Sequence, residues 1–317
     1  MKTVFVLNAI LLLLPCISLA ETPDDATTDR QPASSVHYTK EKEKNKEDEK
    51  DQYNIFNPVP EKLRREFDSD RPGITDSPRT IDAGHVQLET DLFSYSHHRT
   101  FTRNASNEVV TTDESTYSTG TLGIGIGLTN STELQIQTTS FESMTVKTSE
   151  GNSITKNHYN GVGDTTVRLK WNIFGNDSEG PAMGIIPELK IPTNSSHIGN
   201  HDVEAAIGVP LLVMLPNEWN FNIMPKWYMV RNDDTSGYHA EMLTGISLGH
   251  HIACDLSGYG EFISQSSSGS DSGWGTSAGA GVMYNINSRI QLDVSIDFGL
   301  NAIADEFNFS TGFVFRF

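Results

Sequence analysis

Charged side chains stand at every second position in several stretches of this 317-residue sequence. One residue separates Glu89 from Asp91, and the same spacing separates Arg168 from Lys170. Because successive side chains of a β-strand point to opposite faces, each pair is expected to share one face of a sheet. Charges gathered around a lumen would bias it electrostatically toward solutes of one sign. Alternatively, the same groups could pair with one another and fill a narrow interior.

Acidic residues outnumber basic ones ten to five in the predicted strand interiors. This balance favours cations or neutral polar solutes over anions in any lumen that these residues line. The candidate lumen-lining residues are Glu89, Asp91, Glu133, Arg168, Lys170, Glu188, Lys190, Lys226, Glu241, Asp255, Glu261, Asp293, Asp297 and Arg316, with Glu204 as a further acid.

The opposite face of the same stretches is apolar and rich in aromatic residues. Between Glu306 and Phe317, five phenylalanines occupy one side of a two-residue repeat and polar residues the other. Such a face would aggregate on a soluble sheet but is stable against lipid. Four tryptophans also fall on the outward parity, as expected for the aromatic girdles of a membrane barrel. They are Trp171, Trp219, Trp227 and Trp274.

From Arg79 onward the chain divides into twelve alternating segments, with a margin of two in the count. The predicted connections after odd-numbered strands are long, including 96–114 and 142–162, whereas those after even-numbered strands are short, including 249–251. Outer-membrane barrels show this asymmetry. We therefore predict an all-β fold, a transmembrane antiparallel up-and-down β-barrel of about twelve strands, over a soluble β-sandwich. In Leu122–Leu128, glycines alternate with Leu and Ile, which would leave the lumen open or admit another segment.

The composition narrows the class of partner. The chain has a net charge of −18 and a mean hydropathy of −0.37, and beyond its first 20 residues it has no run of 18 apolar residues that would predict a helical span. Residues 79–317 alone carry a charge of −14. Nucleic acid is therefore not an expected partner, since binding it needs a basic surface.

Four regions follow from shifts in composition. Residues 1–20 read as a cleaved signal peptide, 21–52 as a disordered charged tail, 53–78 as a proline-interrupted periplasmic lead-in, and 79–317 as the barrel. A lipoprotein signal at Cys16 is the alternative at the start of the chain. If Cys16 leaves with the signal, Cys254 is the one remaining thiol and no internal disulfide can form.

Neither a metal, a cofactor nor catalysis is predicted. Histidine pairs occur at 97/98, 250/251 and 197/201, but in predicted loops and turns without a third ligand at a recognisable spacing. The sequence has no G-x-S-x-G motif and no Ser and His pair framed by an orienting acid or amide in a strand. An outer-membrane lipid hydrolase is therefore the least favoured function.

Two stretches carry a more specific likeness. The sequence DRPGITDSPRTIDAGHVQLET (70–90) and the sequence NGVGDTTVRLKWNIFG (160–175) resemble blocks of the outer-membrane transporter family catalogued under the meta pathway of phenol degradation. The resemblance covers about residues 70–317 and implies a transporter-like barrel. The residues that match the family motifs are Arg71, Pro72, Thr75, Ser77 and Pro78 in the lead-in, and Gly161, Gly163 and Asp164 before a later strand.

These observations predict a monomeric channel in the bacterial outer membrane that passes small organic or polar solutes passively. Its expected partners are outer-membrane lipid, the solute and the barrel assembly machinery, which would read the terminal Phe317. The alternative is a structural or adhesive anchor barrel that presents 96–114 and 142–162 outside the cell. The sequence leaves open which solute passes and whether 53–78 plugs the lumen.

Overall fold

In the computed structural model, the described residues are 49–178, 180–195, 198–199, 201–232, 236–269 and 273–317. The predicted signal peptide with Cys16, most of the predicted charged tail, and His197 lie outside these residues. In the described part, no helix is both long enough and apolar enough to cross a bilayer.

Fourteen strands of the described residues form one sheet in which the paired strands run antiparallel. A single 3-10 turn, Glu61–Leu63, precedes them. The strands are β1 (Val86–Arg103), β2 (Val109–Gly127), β3 (Thr132–Glu150), β4 (Ser153–Gly161), β5 (Thr165–Phe174), β6 (Ala182–Ile191), β7 (Glu204–Gly208), β8 (Leu211–Met214), β9 (Trp219–Arg231), β10 (Tyr238–Ala253), β11 (Leu256–Ser267), β12 (Gly273–Asn287), β13 (Ile290–Gly299) and β14 (Phe307–Arg316).

The sheet closes on itself because β1 pairs with both β2 and the last strand, β14. Two positions of the barrel are each filled by two strands: β4 and β5 both pair with β3, and β7 and β8 lie between β6 and β9. Pro210 separates β7 from β8, since it has no N–H to give to a ladder. Fourteen strands therefore make twelve barrel positions. The predicted all-β, twelve-strand up-and-down barrel is confirmed.

Alternation of burial divides the strands into an inner and an outer face. In β13, Gln291 and Asp293 are buried while Leu292 and Phe298 are exposed. The four tryptophans all lie on the outer face, with exposed fractions from 38% to 64%. A barrel whose apolar side chains point outward and whose polar ones point inward is the reverse of a soluble protein, and it fits a lipid surround.

The two longest predicted loops are wrong. Most of 96–114 is strand, because β1 continues to Arg103 and β2 begins at Val109; in 142–162, β3 continues to Glu150 and β4 begins at Ser153. These stretches are rich in Thr, Ser and Val, and their hydroxyls bond across strands, as between Thr145 and His158. Residues that read as polar loops therefore extend four strands at this end of the barrel, which we call the long-hairpin end.

At the opposite, short-turn end, the predicted turn at 249–251 is also misplaced. Strand β10 runs on to Ala253, and the turn lies at Cys254, whose φ is 53°. The first strand begins at Val86, the first of its predicted alternating residues. Residues 79–85 precede it and bond to turns of this end; the Thr80 backbone N–H, for example, donates to Asn176 Oδ1.

Candidate functional site: a lumen occupied by residues 64–83

Residues 64–83, which we call the plug segment, lie inside the barrel and reach wall strands on opposite sides. The Arg71 guanidinium pairs with Asp91 of β1 and with Asp293 of β13, where Nη2 is 2.8 Å from Oδ1. Two strands further round the wall, the Thr75 N–H donates to Glu261 Oε1 of β11 at 2.8 Å. Strand β5, which also contacts this segment through Arg168 and Lys170, stands five barrel positions from both β11 and β13, so the plug segment crosses the lumen instead of lining one side of it.

A second set of ion pairs holds the plug segment to β5. Lys170 Nζ is 2.7 Å from Asp70 Oδ1, and Arg168 pairs with Asp76. Arg168 also bonds through Nε to Glu188 Oε1 of β6 at 2.8 Å. The exposed fractions of these side chains lie between 3% and 11%, so water solvates them little and each charge depends on its partner instead. The plug segment thus supplies the acids that neutralise two wall cations.

Glycines of the wall make room for this segment. A Cβ on Gly127 would lie 2.2 Å from the Asp82 carbonyl oxygen, and a Cβ on Gly125 would lie 2.5 Å from Ile81 Cδ1. A Cβ on Gly245 would stand 2.4 Å from Thr75 Oγ1. The sequence left two explanations for the glycine repeat of β2, an open lumen or the close approach of another segment. In the structure the plug segment approaches these glycines closely.

At the short-turn end, the plug segment is anchored by a buried charge cluster. Arg65 Nη2 is 3.0 Å from Asp177 Oδ2, and Lys50 Nζ is 3.0 Å from Asp82 Oδ1. Asp177 lies in the turn between β5 and β6 and also pairs with Lys50. Burial opposes ionisation of Asp177, but hydrogen bonds and charge from Arg65 and Lys50 outweigh it and hold the pKa of this carboxyl below its usual value.

Toward the long-hairpin end, the inward charges are mostly wall residues. Lys190 Nζ of β6 is 2.7 Å from Glu204 Oε2 of β7, and Glu241 of β10 lies 3.1 Å from His239 Nε2. Asp297 of β13 faces Gly279 across the strand pair, and no Lys or Arg of the described residues forms an ion pair with it. Beyond the plug segment, the lumen is therefore acidic.

In the structure thirteen of the fourteen predicted lumen residues point inward, and Asp255 does not. Asp255 lies in the exposed turn between β10 and β11, because β10 is longer than its alternation suggested. Seven of the others are buried: Glu133, Arg168, Lys170, Glu261, Asp293 and Arg316 at 2–8% exposure, and Glu188 with a side chain at 8%. That any of them lines a path for solutes stays a prediction. Sequence reasoning missed Asp70 and Asp76, whose signal was their place in a charged, proline-rich segment directly before the first strand.

The family-motif residues occupy two places. Those of the lead-in lie in the plug segment, where Ser77 Oγ donates to Asp68 Oδ2 and the Pro78 carbonyl accepts from Asn172 Nδ2. Those of the second motif join β4 to β5 near the long-hairpin end. There Asp164 Oδ2 is 3.3 Å from Lys190 Nζ, and Gly163 leaves room for Thr139, 2.9 Å from where its Cβ would stand.

The histidine pairs have partners other than metals. His97 bonds to Ser115 Oγ at 3.0 Å, and the ring of His250 stacks on Trp219 with centroids 4.4 Å apart. Within the part of the chain that the structure describes, no three His, Cys, Asp or Glu side chains are grouped so as to hold a metal ion.

Solved structures with a similar fold are outer-membrane barrels. An outer membrane channel from Pseudomonas putida F1 is 14% identical, with a TM-score of 0.52 over 78% of this chain and 99% of that one. The NanC porin is 15% identical, with a TM-score of 0.45 over 71% and 98%. The translocator domain of the autotransporter NalP from Neisseria meningitidis is 10% identical, with a TM-score of 0.47 over 90% and 97%. At these identities the likeness concerns the fold alone.

The sequence itself matches one known family. A comparison with curated proteins finds no match. The profile of the family described as "Putative MetA-pathway of phenol degradation" matches residues 69–317, which include the plug segment from its sixth residue onward and the whole barrel. The match covers well over half of the chain, and the predicted resemblance is confirmed: the chain belongs to this family.

Proposed function

We propose that this protein is a channel of the bacterial outer membrane through which small polar or organic solutes pass passively. The observation that carries the proposal is a closed twelve-position barrel with an apolar outer face and charged side chains inside. A barrel built only as an anchor has no need of buried charges, because each one costs desolvation energy unless it is paired. Family membership and the fold of the similar structures support the same function.

In the structure the plug segment occupies the path that a solute would take, so transport requires this segment to shift or withdraw. Its withdrawal would leave Arg168 and Lys170 without Asp70 and Asp76, although Arg168 would keep Glu188. Nine inward acids and five inward bases would then remain on the wall, counting the predicted residues without Asp255. The open lumen would accordingly favour cations and neutral solutes over anions.

The reversal potential of the purified protein in a planar bilayer, measured across a potassium chloride gradient, tests this function. We expect current that is carried mainly by potassium. Replacing two wall acids near the long-hairpin end, Glu241→Gln with Asp297→Asn, should lower the cation preference about twofold. The matched control is Glu108→Gln at the exposed tip of the first hairpin, which should leave the preference unchanged. Anion-selective current, or a bilayer silent under every solute and voltage, would exclude the proposal.

The long hairpins favour a second candidate, an adhesive or structural barrel. Strands β1 to β4 rise beyond the end of β14, which pairs with β1 only as far as His97 and Phe307. This extension presents a sheet where a partner could bind. Conductance separates the two functions, since an anchor barrel would hold its plug segment permanently and pass no current.

A further inference from the structure

The outer face of the extension carries a row of aligned charges. Arg99 of β1 pairs in register with Asp113 of β2, Asp113 with Lys147 of β3, and Lys147 with Lys156 of β4. Residues in register across a sheet lie on one face. Arg99 is two residues beyond His97, which is paired with the outward Phe307, so the row continues the lipid-facing side of the barrel.

The cations of this row outnumber its one carboxylate. Asp113 pairs with Arg99, whose guanidinium also contacts Glu306, and Lys147 Nζ is 4.0 Å from the other Asp113 oxygen, at the limit of an ion pair. Lys156 is exposed and forms no ion pair with any described residue. Residues directly opposite in an antiparallel pair have Cβ atoms about 5 Å apart, and like charges there repel. Lys147 and Lys156 therefore hold two ammonium groups side by side, an arrangement that an anion between them would stabilise.

Aromatic rings just below the row mark the edge of the hydrocarbon layer. Tyr95 and Tyr117 have centroids 4.8 Å apart, and Phe307 and Phe309 pack beside Tyr95 and Phe93 at 6.1 and 6.3 Å. Such rings collect where lipid tails meet polar headgroups. Arg99 stands four residues beyond Tyr95, about 13 Å further along the strand at about 3.3 Å per residue. The row thus lies at the height of headgroups rather than of lipid tails.

We propose that Lys147 and Lys156 together bind a phosphate group of outer-leaflet lipopolysaccharide. The long-hairpin end is the outer end if the proposed outer-membrane location holds, and the inference rests on that location. An anionic lipid fits this site because two neighbouring ammonium groups can donate to separate oxygens of one phosphate. The extension of β3 and β4 beyond the barrel would serve to carry this pair past the aromatic girdle.

Binding of purified deep-rough lipopolysaccharide to the full chain in neutral detergent, measured by microscale thermophoresis, tests the proposal. Lys147→Gln and Lys156→Gln should each weaken binding about fivefold, in line with the loss of one charge-assisted bond. The control is Lys62→Gln, which removes an equally exposed lysine at the short-turn end and should have no effect. Chemically dephosphorylated lipopolysaccharide should bind the unaltered chain as weakly as the intact lipid binds the variants.

The assignment would be overturned if Lys62→Gln weakened binding as much as the row variants, or if both row variants bound as tightly as the unaltered chain. Equal affinity for phosphatidylglycerol would also overturn it, because a diffuse attraction to any anionic lipid needs no specific site. Heat-modifiable gel migration confirms that each variant is folded. Conductance is measured on the same samples in phosphatidylcholine bilayers, where the row variants should match the unaltered chain. Loss of the phosphate site with intact current, or intact binding without current, separates this proposal from the proposed function.

Discussion

Arg71 and Asp293, which are 222 residues apart in the chain, are joined by two parallel hydrogen bonds: Nη2 to Oδ1 at 2.8 Å and Nε to Oδ2 at 3.1 Å. The Asp293 side chain is fully buried, and the Arg71 side chain is 14% exposed. A paired guanidinium and carboxylate of this geometry is among the strongest polar contacts in proteins. It ties the plug segment to the middle of β13.

Replacing Arg71 by Gln should release the plug segment while the barrel stays folded. The change leaves Asp91 and Asp293 buried without their cation, which costs about 3 to 5 kcal/mol. We expect conductance in planar bilayers to rise several-fold, and trypsin to cut faster after Arg79, which in the intact protein is half-buried and donates to the Ser178 carbonyl. Arg103→Gln, at the tip of the first hairpin, serves as the control. If conductance stayed at the control level, the ion pairs of Arg71 would not hold the lumen closed.

Two glycines of β2 provide a matched test of plug docking. Gly127→Ala would place a Cβ 2.2 Å from the Asp82 carbonyl oxygen, whereas Gly123→Ala would place one no closer than 3.4 Å to any neighbour. Overpacking of the first kind costs about 1 to 3 kcal/mol. Limited trypsin digestion with mass spectrometry should show faster cleavage of the plug segment in Gly127→Ala alone. Identical digestion of both variants would mean that the segment does not press against β2.

The anchor at Asp177 predicts a dependence on pH. Because the pKa of Asp177 is lowered in the folded protein, its ion pairs with Arg65 and Lys50 contribute fully above the ordinary value of 3.8 and are lost as the pH falls through the folded value. Asp177→Asn should therefore increase channel opening at pH 6, and its difference from the unaltered protein should shrink below pH 4. Asp202→Asn, at the opposite end, is the control. A difference that grew in acid would contradict the assigned sign.

The outer face can be tested at Leu292. This side chain points into lipid, so Leu292→Arg should cost about 2 to 4 kcal/mol near the bilayer midplane and impair assembly, while Leu292→Phe should be tolerated. Urea unfolding in lipid vesicles, read by gel mobility without boiling, measures both variants. Equal stability of the two would show that Leu292 does not face hydrocarbon.

The barrel could be predicted from the sequence because polar and apolar residues alternate with a two-residue period along each strand. Leu292 beside Asp293, or Trp171 beside Lys170, can alternate only if one side meets lipid and the other the lumen. At the ends of the strands this alternation is lost, so the ends could not be predicted. Beyond Thr139 neither face of β3 is consistently apolar or polar, so its extension to Glu150 was interpreted as a loop.

The plug segment could not be placed from its sequence, since it has no regular period. Its position depends on long-range pairs such as Lys170 with Asp70, whose partners are 100 residues apart. The inward bases were predicted, but their partners in residues 64–83 were not. The glycines of β2 that face that segment, including Gly127, were a hint from the sequence that another segment enters the lumen.

The most direct test of a lumen closed by the plug segment is a reversible disulfide. A Cβ at position 245 would lie 3.5 Å from the Cβ of Thr75, within the range of about 3.5 to 4.5 Å that a disulfide spans. The chain with Thr75→Cys and Gly245→Cys, carrying Cys254→Ser to remove the exposed thiol, is measured in a planar bilayer before and after reduction. We predict no current from the oxidised protein and cation-selective current once the bond is reduced. Equal current in both states, with the disulfide fully formed, would contradict the account.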